Sequence, residues 1–252
     1  MSIENSDAVV INTIDWRETS AIVTFYTLSE GKLSVVAKGA RRRRNQLYDC
    51  LQLFSHVNLV FYKKESRNLQ VLSRCSVKES FQEIREDLVK TAYACYFVQL
   101  VDEMVGSGES SEELFFLLLG VLRLLREESD YETLARFLEL HLLRILGYSP
   151  ALLRCVACKK GIGEKPEKLG LSASAGGVVC GACLVGRSDC ISISPGAHKA
   201  LQHLGRVDLE KLNRLKLPRS VSDELNSAME YYIEYFAEKE LKAKAFLEDT
   251  IR

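Results

Sequence analysis

The chain has 252 residues, 47% of them apolar and 27% charged, enough to bury one large core or two to three small ones. The charges of its 34 basic and 34 acidic residues cancel, which argues against a uniformly basic surface that would bind nucleic acid. Residues 1–15 carry no secretory signal, and the longest uncharged apolar run, Leu114–Leu122, falls short of the roughly 20 residues that cross a bilayer. We therefore expect a cytoplasmic protein without a membrane span.

Residues 1–80 predict a β domain. A turn at residues 29–31 places Gly31 where a hairpin needs a positive φ angle. Five strands with short turns in about 70 residues are typical of a small closed barrel such as the OB fold. The predicted strands are Ala8–Ile14, Ser20–Thr27, Lys32–Lys38, Leu51–Tyr62 and Leu69–Val77.

Residues 1–80 are also basic, with 12 basic and 8 acidic side chains. Cations on a barrel can follow a phosphate backbone, and aromatic side chains can stack on bases. The alternative is a solvated basic loop without a ligand. The candidate cations are Lys38, Arg41, Arg42, Arg43 and Arg44 after the third strand, and Lys63, Lys64 and Arg67 after the fourth. The candidate aromatic residues are Trp16, Phe25, Tyr48 and Tyr62.

After residue 80 the apolar period becomes helical. The predicted helices are Glu83–Val105, one starting at Ser110 or Ser111, Tyr131–Leu146, one starting at Ser194–Pro195, Asp208–Leu217 and a final helix from near Ser220. The fold class is therefore α+β. We expect a barrel at 1–80, a helical domain whose two parts span 81–150 and 191–252, and an inserted module at 151–190.

The inserted module contains two Cys-x-x-Cys pairs, formed by Cys155 with Cys158 and by Cys180 with Cys183. Two such pairs can hold one tetrahedral zinc ion, and four protein ligands leave no position for water, which indicates a structural site. A redox pair and a disulfide clip are the alternatives. We also consider Cys190 as a replacement ligand, and we expect Cys75 and Cys95 to pack in the core.

No motif for catalysis is present: the sequence has no GxxxxGK[ST] loop, no HExxH and no GxSxG. We therefore expect a protein that is not an enzyme. Two other classes stay open. One is a zinc-ribbon protein that binds RNA or acts in transcription, and the other is an enzyme with a zinc-stabilised lid, which would need a convergent acid, base or nucleophile set.

The order of these parts resembles the RecO family of bacterial recombination mediators over essentially the whole chain. The resemblance is carried by VAKGARR after the third strand, by LGYSPALLRCVAC at the start of the module, by the second Cys-x-x-Cys pair and by SPGAHKALQHL. It implies an N-terminal OB fold, a helical domain and a zinc module.

The resemblance also implies a function. RecO proteins bind single- and double-stranded DNA and anneal complementary strands. They act with RecR and with the single-stranded-DNA-binding protein SSB, whose acidic tail docks on the helical domain, and they help RecA to load onto coated DNA. By position, Lys38 and Arg41–Arg44 match the DNA contacts best, followed by Lys63, Lys64 and Arg67. A bacterial, nucleoid-associated location is implied as well.

Overall fold

The computed structural model describes residues 2–40, 47–127, 130–163, 168–237 and 241–251. The chain divides into two compact units, Met1–Glu127 with Leu241–Arg252, and Glu128–Glu240. Among the described residues, no helix has the length and apolar character needed to span a membrane. The predicted DNA contacts Arg41, Arg42, Arg43 and Arg44 lie outside the described residues.

The first unit is built on five strands. They are β1 Ser2–Trp16, β2 Ser20–Thr27, β3 Gly31–Ala37, β4 His56–Lys63 and β5 Leu69–Glu79. The sheet closes into a barrel in the order β1-β2-β3-β5-β4, in which β3 and β5 pair in parallel and the other pairs are antiparallel. Val57, Leu59 and Phe61, at alternate positions of β4, are fully buried in the barrel core. Gly31 has the predicted positive φ angle, 63°.

The nine helices of the described chain are α1 Leu47–Cys50, α2 Gln82–Arg85, α3 Leu88–Met104, α4 Glu112–Glu127, α5 Tyr131–Ile145, α6 Gly181–Leu184, α7 Pro195–Leu204, α8 Arg219–Ala237 and α9 Lys242–Ile251. A short 3-10 helix spans Leu209–Arg214. The first unit holds α1–α4 and α9, and the second holds α5–α8. The mixed α+β class with helices toward the C-terminus is confirmed, while the division into four segments stays a prediction.

The predicted strand Leu51–Tyr62 is wrong in its first five residues, because residues 51–55 form a turn between α1 and β4. The Leu51 backbone N–H donates to the Leu47 carbonyl at 3.1 Å, and Ser55 N–H donates to the Gln52 carbonyl at 3.2 Å. These groups are therefore used locally and cannot extend the ladder of β4. Phe54 has a φ angle of 74°, outside the range of strands.

The predicted helix Glu83–Val105 is divided into α2 and α3. Asp87 causes the break, since its side chain accepts the Lys90 N–H at 3.0 Å and caps a new helix. The predicted cap of the next helix is confirmed at Ser111, which accepts the Leu114 N–H at 3.2 Å. The final predicted helix is two helices, α8 and α9. In the first unit α9 packs on α3, where Ala243 N–H donates to Gln99 Oε1 at 2.7 Å.

The second unit contains a small sheet that the sequence did not predict. Its strands are β6 Leu169–Ser172, β7 Gly177–Cys180 and β8 Ile191–Ile193, paired antiparallel in the order β7-β6-β8. Strands of three or four residues are too short to show an alternating pattern. The sheet positions the cysteine pairs, because β7 ends at Cys180.

Candidate functional site

The first cysteine pair lies in a tight turn. Cys155 N–H donates to the Lys160 carbonyl at 2.8 Å, and Lys159 N–H donates back to the Cys155 carbonyl at 2.9 Å. Lys159 takes a positive φ angle of 63° to close this turn. The turn therefore presents Cys155 and Cys158 toward the same point.

The second pair is brought to the first by β7 and α6. Val156 N–H donates to the Val178 carbonyl at 2.9 Å, and Cys180 N–H donates to the Cys155 sulfur at 3.3 Å. A Cβ atom at Gly177 would lie 2.4 Å from the Ala151 carbonyl oxygen, so only glycine allows this approach. The four residues meet although more than twenty positions separate the pairs along the chain.

The four sulfur atoms have the spacing of a single metal site. The Sγ atoms of Cys155, Cys158, Cys180 and Cys183 all lie within 4.8 Å of one another. Tetrahedral zinc with bonds of about 2.3 Å to sulfur places its ligands roughly 3.8 Å apart. The Sγ atoms of Cys158 and Cys180 are 3.8 Å apart. The donor set and its geometry therefore fit a zinc ion.

The electrostatics of the cluster also fit a cation. Burial raises the pKa of the Cys155 thiol, but hydrogen bonds from the backbone N–H groups of Cys158, Cys180 and Ala157 outweigh it and bring that pKa down to about 6. Hydrogen bonds with the thiols of Cys180 and Cys158 raise the pKa of Cys183 to about 12. Crowded thiols resist losing four protons together, and a metal ion bound among them favours the thiolates.

A cluster of hydrogen-bonded polar side chains, centred on Asp189, stabilises the sheet beside the cysteines. Asp189 Oδ2 accepts from Ser172 Oγ at 2.9 Å, from Ser174 Oγ at 2.7 Å and from Arg187 Nη2 at 2.7 Å. The Arg187 guanidinium, followed by the two hydroxyls, holds the pKa of the Asp189 carboxyl well below its usual range. Cys190 lies beside this polar cluster, with its Sγ 3.9 Å from Asp189 Oδ1, and is not part of the four-sulfur group.

The remaining cysteines lie in the first unit. All eight cysteines are within the described residues, and each is a free thiol. Cys50 is buried and donates to the Cys75 carbonyl at 3.3 Å. Cys75 packs against the barrel core, and both it and Cys95 are half-buried.

Lys38 and Lys63, two of the predicted DNA-binding cations, lie toward opposite ends of β3. Lys38 is exposed directly after the last residue of β3. Lys63 instead approaches the residue before β3, since its Nζ lies 2.6 Å from Glu30 Oε2. A strand of seven residues spans about 20 Å, so Lys38 and Lys63 do not belong to one compact patch.

Lys64 and Arg67 are exposed on the turn that follows β4. This turn is braced by the buried Gln70, whose Oε1 accepts the Lys64 N–H at 2.8 Å and whose Nε2 donates to the Lys64 carbonyl at 3.2 Å. Lys63 differs from both, because the Glu30 carboxylate partly neutralises it. Hydrogen bonding to that carboxylate raises the pKa of Lys63.

The candidate aromatic residues have different surroundings. The prediction for Phe25 is wrong, because its ring is fully buried in the barrel core and cannot reach a base. Trp16 and Tyr48 are exposed, at 43% and 52% of their surface. Tyr48 borders a cavity of about 630 Å³, lined by Thr13, Asp15, Ala21, Ala40, Tyr48, Leu51 and Gln52. The sequence did not single out Thr13, Asp15 or Gln52, since no local pattern connects β1 with α1.

Comparison with known proteins gives matches along nearly the whole chain. A family described as "Recombination protein O N terminal" matches residues 1–81, and one described as "Recombination protein O C terminal" matches residues 85–245. A protein of Symbiobacterium thermophilum called DNA repair protein RecO is 36% identical, covering 100% of this chain and 99% of its own length. Proteins of the same name from Pelotomaculum thermopropionicum and Bacillus pumilus are 33% and 31% identical, covering 98% and 96% of this chain and 94% and 92% of their own.

Proposed function

This chain belongs to the recombination protein O (RecO) family, whose role is in DNA repair and recombination, and we propose that it acts there as a recombination mediator. The observation that carries the proposal is the match of both family models, at 1–81 and 85–245, together with relatives called DNA repair protein RecO that align over nearly their full length.

The proposed ligand of the barrel is DNA, single- or double-stranded, bound without sequence reading. The barrel is proposed to be an OB fold, which commonly serves this purpose. Lys38 at one end of β3, and Lys64 and Arg67 toward the other, would neutralise phosphates and release counterions, together with Arg41–Arg44, which follow Lys38 in the sequence. Lys63 contributes less in this proposal, because Glu30 already pairs with it.

Strand annealing follows from the same charges. Two complementary strands repel each other through their phosphates, and a protein surface that neutralises both lowers this repulsion. No nucleotide-binding motif is present in the sequence, so annealing would need no ATP. We propose accordingly that the chain is not an enzyme and that it acts by bringing two complementary strands together as a paired duplex.

The proposed partners are RecR, the acidic tail of SSB and, indirectly, RecA. With them the chain would help RecA to replace SSB on single-stranded DNA, in the cytoplasm next to the nucleoid. These partners come from the family resemblance.

The proposed metal is one zinc ion held by Cys155, Cys158, Cys180 and Cys183. Bound zinc supplies folding free energy to a small module and, with four thiolate ligands, offers no position for a substrate. The close Sγ spacing and the hydrogen bond from Cys180 N–H to Cys155 Sγ support this assignment. The module then acts as a structural insertion in the second unit.

Binding of fluorescent DNA tests the electrostatic part of the proposal. We expect anisotropy to show affinity that falls steeply with salt, for single strands and duplexes alike. Changing Arg41, Arg42, Arg43 and Arg44 to alanine should reduce the slope of log K against log salt by up to about 3 for single strands. An affinity that does not depend on salt concentration, or an equal slope of log K against log salt in the variant and the wild type, would contradict the proposal.

A further inference from the structure

The cavity beside α1 is walled by two elements of the first unit. Tyr48 belongs to α1, Gln52 lies two residues after the end of that helix, and both border the cavity. The Gln52 side-chain amide donates to the Tyr48 carbonyl at 3.1 Å, which fixes the two relative to each other. Leu51, between them in the sequence, is buried; its side chain packs with the barrel core and also borders the cavity. The Tyr48 ring is 52% exposed and borders the cavity.

The opposite wall is the end of the β1–β2 hairpin. Thr13 and Asp15 alternate along β1 and so lie on the same face, and both are exposed. Asp15 pairs in register with Ala21 of β2. Ala21 and Ala40, both buried, form the floor together with Leu51. Small side chains at these two positions leave the space that a larger residue would fill.

The lining has the chemistry of a nucleobase site. An aromatic ring offers a stacking surface to any base, and an apolar floor tolerates a flat ring. The Asp15 carboxylate and the Gln52 amide oxygen can accept hydrogen bonds from amino groups on a base edge. The exposed Lys38 lies two residues before Ala40, so a cation for the attached phosphate is close along the chain.

We propose that this cavity receives one unpaired base of single-stranded DNA, stacked on Tyr48 and hydrogen-bonded at its edge by Asp15 and Gln52. The inference rests on the proposed DNA-binding function. A base inside a duplex is paired and stacked on its neighbours and cannot enter without being extruded. The cavity therefore distinguishes single strands from duplexes, whereas the cations act on both.

Three probes separate stacking from charge: a mixed-sequence single strand, its duplex, and a strand of the same length with abasic sugars. Stacking of one base on an aromatic ring accounts for roughly 5- to 160-fold in affinity. Tyr48→Ala is expected to weaken single-strand binding by that factor, and to change binding of the duplex and the abasic strand less than twofold. Tyr48→Phe, which keeps the ring, should bind as the wild type does.

Tyr235→Ala is the matched control, since Tyr235 is also 52% exposed but lies on α8 of the second unit. Circular dichroism establishes that each variant is folded. The wild type itself should prefer the strand with bases to the abasic strand, which tests the inference without any substitution.

The inference is overturned if Tyr48→Ala binds the single strand as tightly as the wild type, or if it loses affinity for all three probes in parallel. Both outcomes leave the proposed function intact, because DNA is still bound. Failure of the wild type to bind any of the probes would instead overturn the proposed function, and the base site with it.

Discussion

At the residue scale, the cysteine cluster is the feature whose chemistry is most constrained. Cys158 contributes one of four sulfurs that fit a tetrahedral ion, while Cys190 lies outside that group beside Asp189. We predict one zinc ion per chain in the wild type by plasma mass spectrometry, loss of that zinc in Cys158→Ser, and full zinc content in Cys190→Ser. Zinc lost from Cys190→Ser but retained by Cys158→Ser would show that the ligand set is different.

A second prediction concerns Glu79, a carboxylate in the first unit. Its Oε2 accepts from Arg123 Nε at 3.1 Å, and its Oε1 lies 3.0 Å from His56 Nδ1. The hydrogen bond from Arg123 lowers the pKa of Glu79 to about 2, burial opposes this, and His56 adds to the lowering. Because the folded-state pKa is depressed, the stabilisation is present above the ordinary value of about 4.3 and is lost as pH falls toward 2.

The test compares Glu79→Gln with the wild type by urea unfolding across pH. We expect the variant to be less stable by about 1–2 kcal/mol at pH 7, after allowance for solvent screening of a partly exposed partner. The difference in stability should shrink as the pH falls from 5 to 2, because Glu79 becomes protonated over that range. The exposed Glu18→Gln serves as control, and a difference independent of pH would contradict the role given to Glu79.

At the element scale, α5 carries a buried ion pair within the second unit. Arg136 Nη2 lies 2.7 Å from Glu139 Oε1, with side chains 5% and 0% exposed. Arg136 Nη1 also donates to Asn226 Oδ1 of α8 at 2.8 Å, so it ties the two helices together. Removing one member of a buried pair leaves the other charge in a medium of low polarity.

We therefore predict that Arg136→Leu lowers the free energy of unfolding by about 3–5 kcal/mol. The matched control is Arg219→Ala, which breaks an ion pair with Glu132 in the same unit but at an arginine that is 78% exposed. That change should lower the free energy by less than about 1 kcal/mol. Equal effects of the two substitutions in chemical denaturation would contradict the distinction between buried and exposed pairs.

The elements show which sequence signals were sufficient. Ser20–Thr27 was predicted with the bounds of β2, because that segment is rich in β-branched and aromatic residues. Leu51 and Leu53 follow the same alternation as Val57, yet they belong to a turn after α1. The sequence period alone could not distinguish this turn from a strand, because the outcome depends on the packing of α1 against the barrel core. Tertiary packing therefore overrode the local pattern.

At the scale of the whole molecule, the two candidate sites differ in how far the sequence could predict them. The cysteine cluster comes from two short turns, each of which shows its chemistry within four residues. The base cavity joins Asp15 on β1 to Tyr48 on α1, and only the closed sheet brings these together. The separation of Lys38 from Lys63 along β3 likewise follows from strand pairing and was not visible in the charge pattern.

The central claim is that the chain pairs complementary DNA strands through its basic surface. The measurement that tests it most directly is annealing of two fluorescent complementary oligonucleotides without ATP. It compares the wild type, a variant with Arg41, Arg42, Arg43 and Arg44 changed to alanine, and a charge-matched control with Lys168, Lys199, Lys211 and Lys216 changed to alanine.

We expect the wild type and the control to accelerate annealing, and the arginine variant to lose most of the acceleration while circular dichroism shows it folded. The physical reason is that four fewer cations release fewer counterions from the two strands. A wild type that leaves the rate of spontaneous annealing unchanged would contradict the claim.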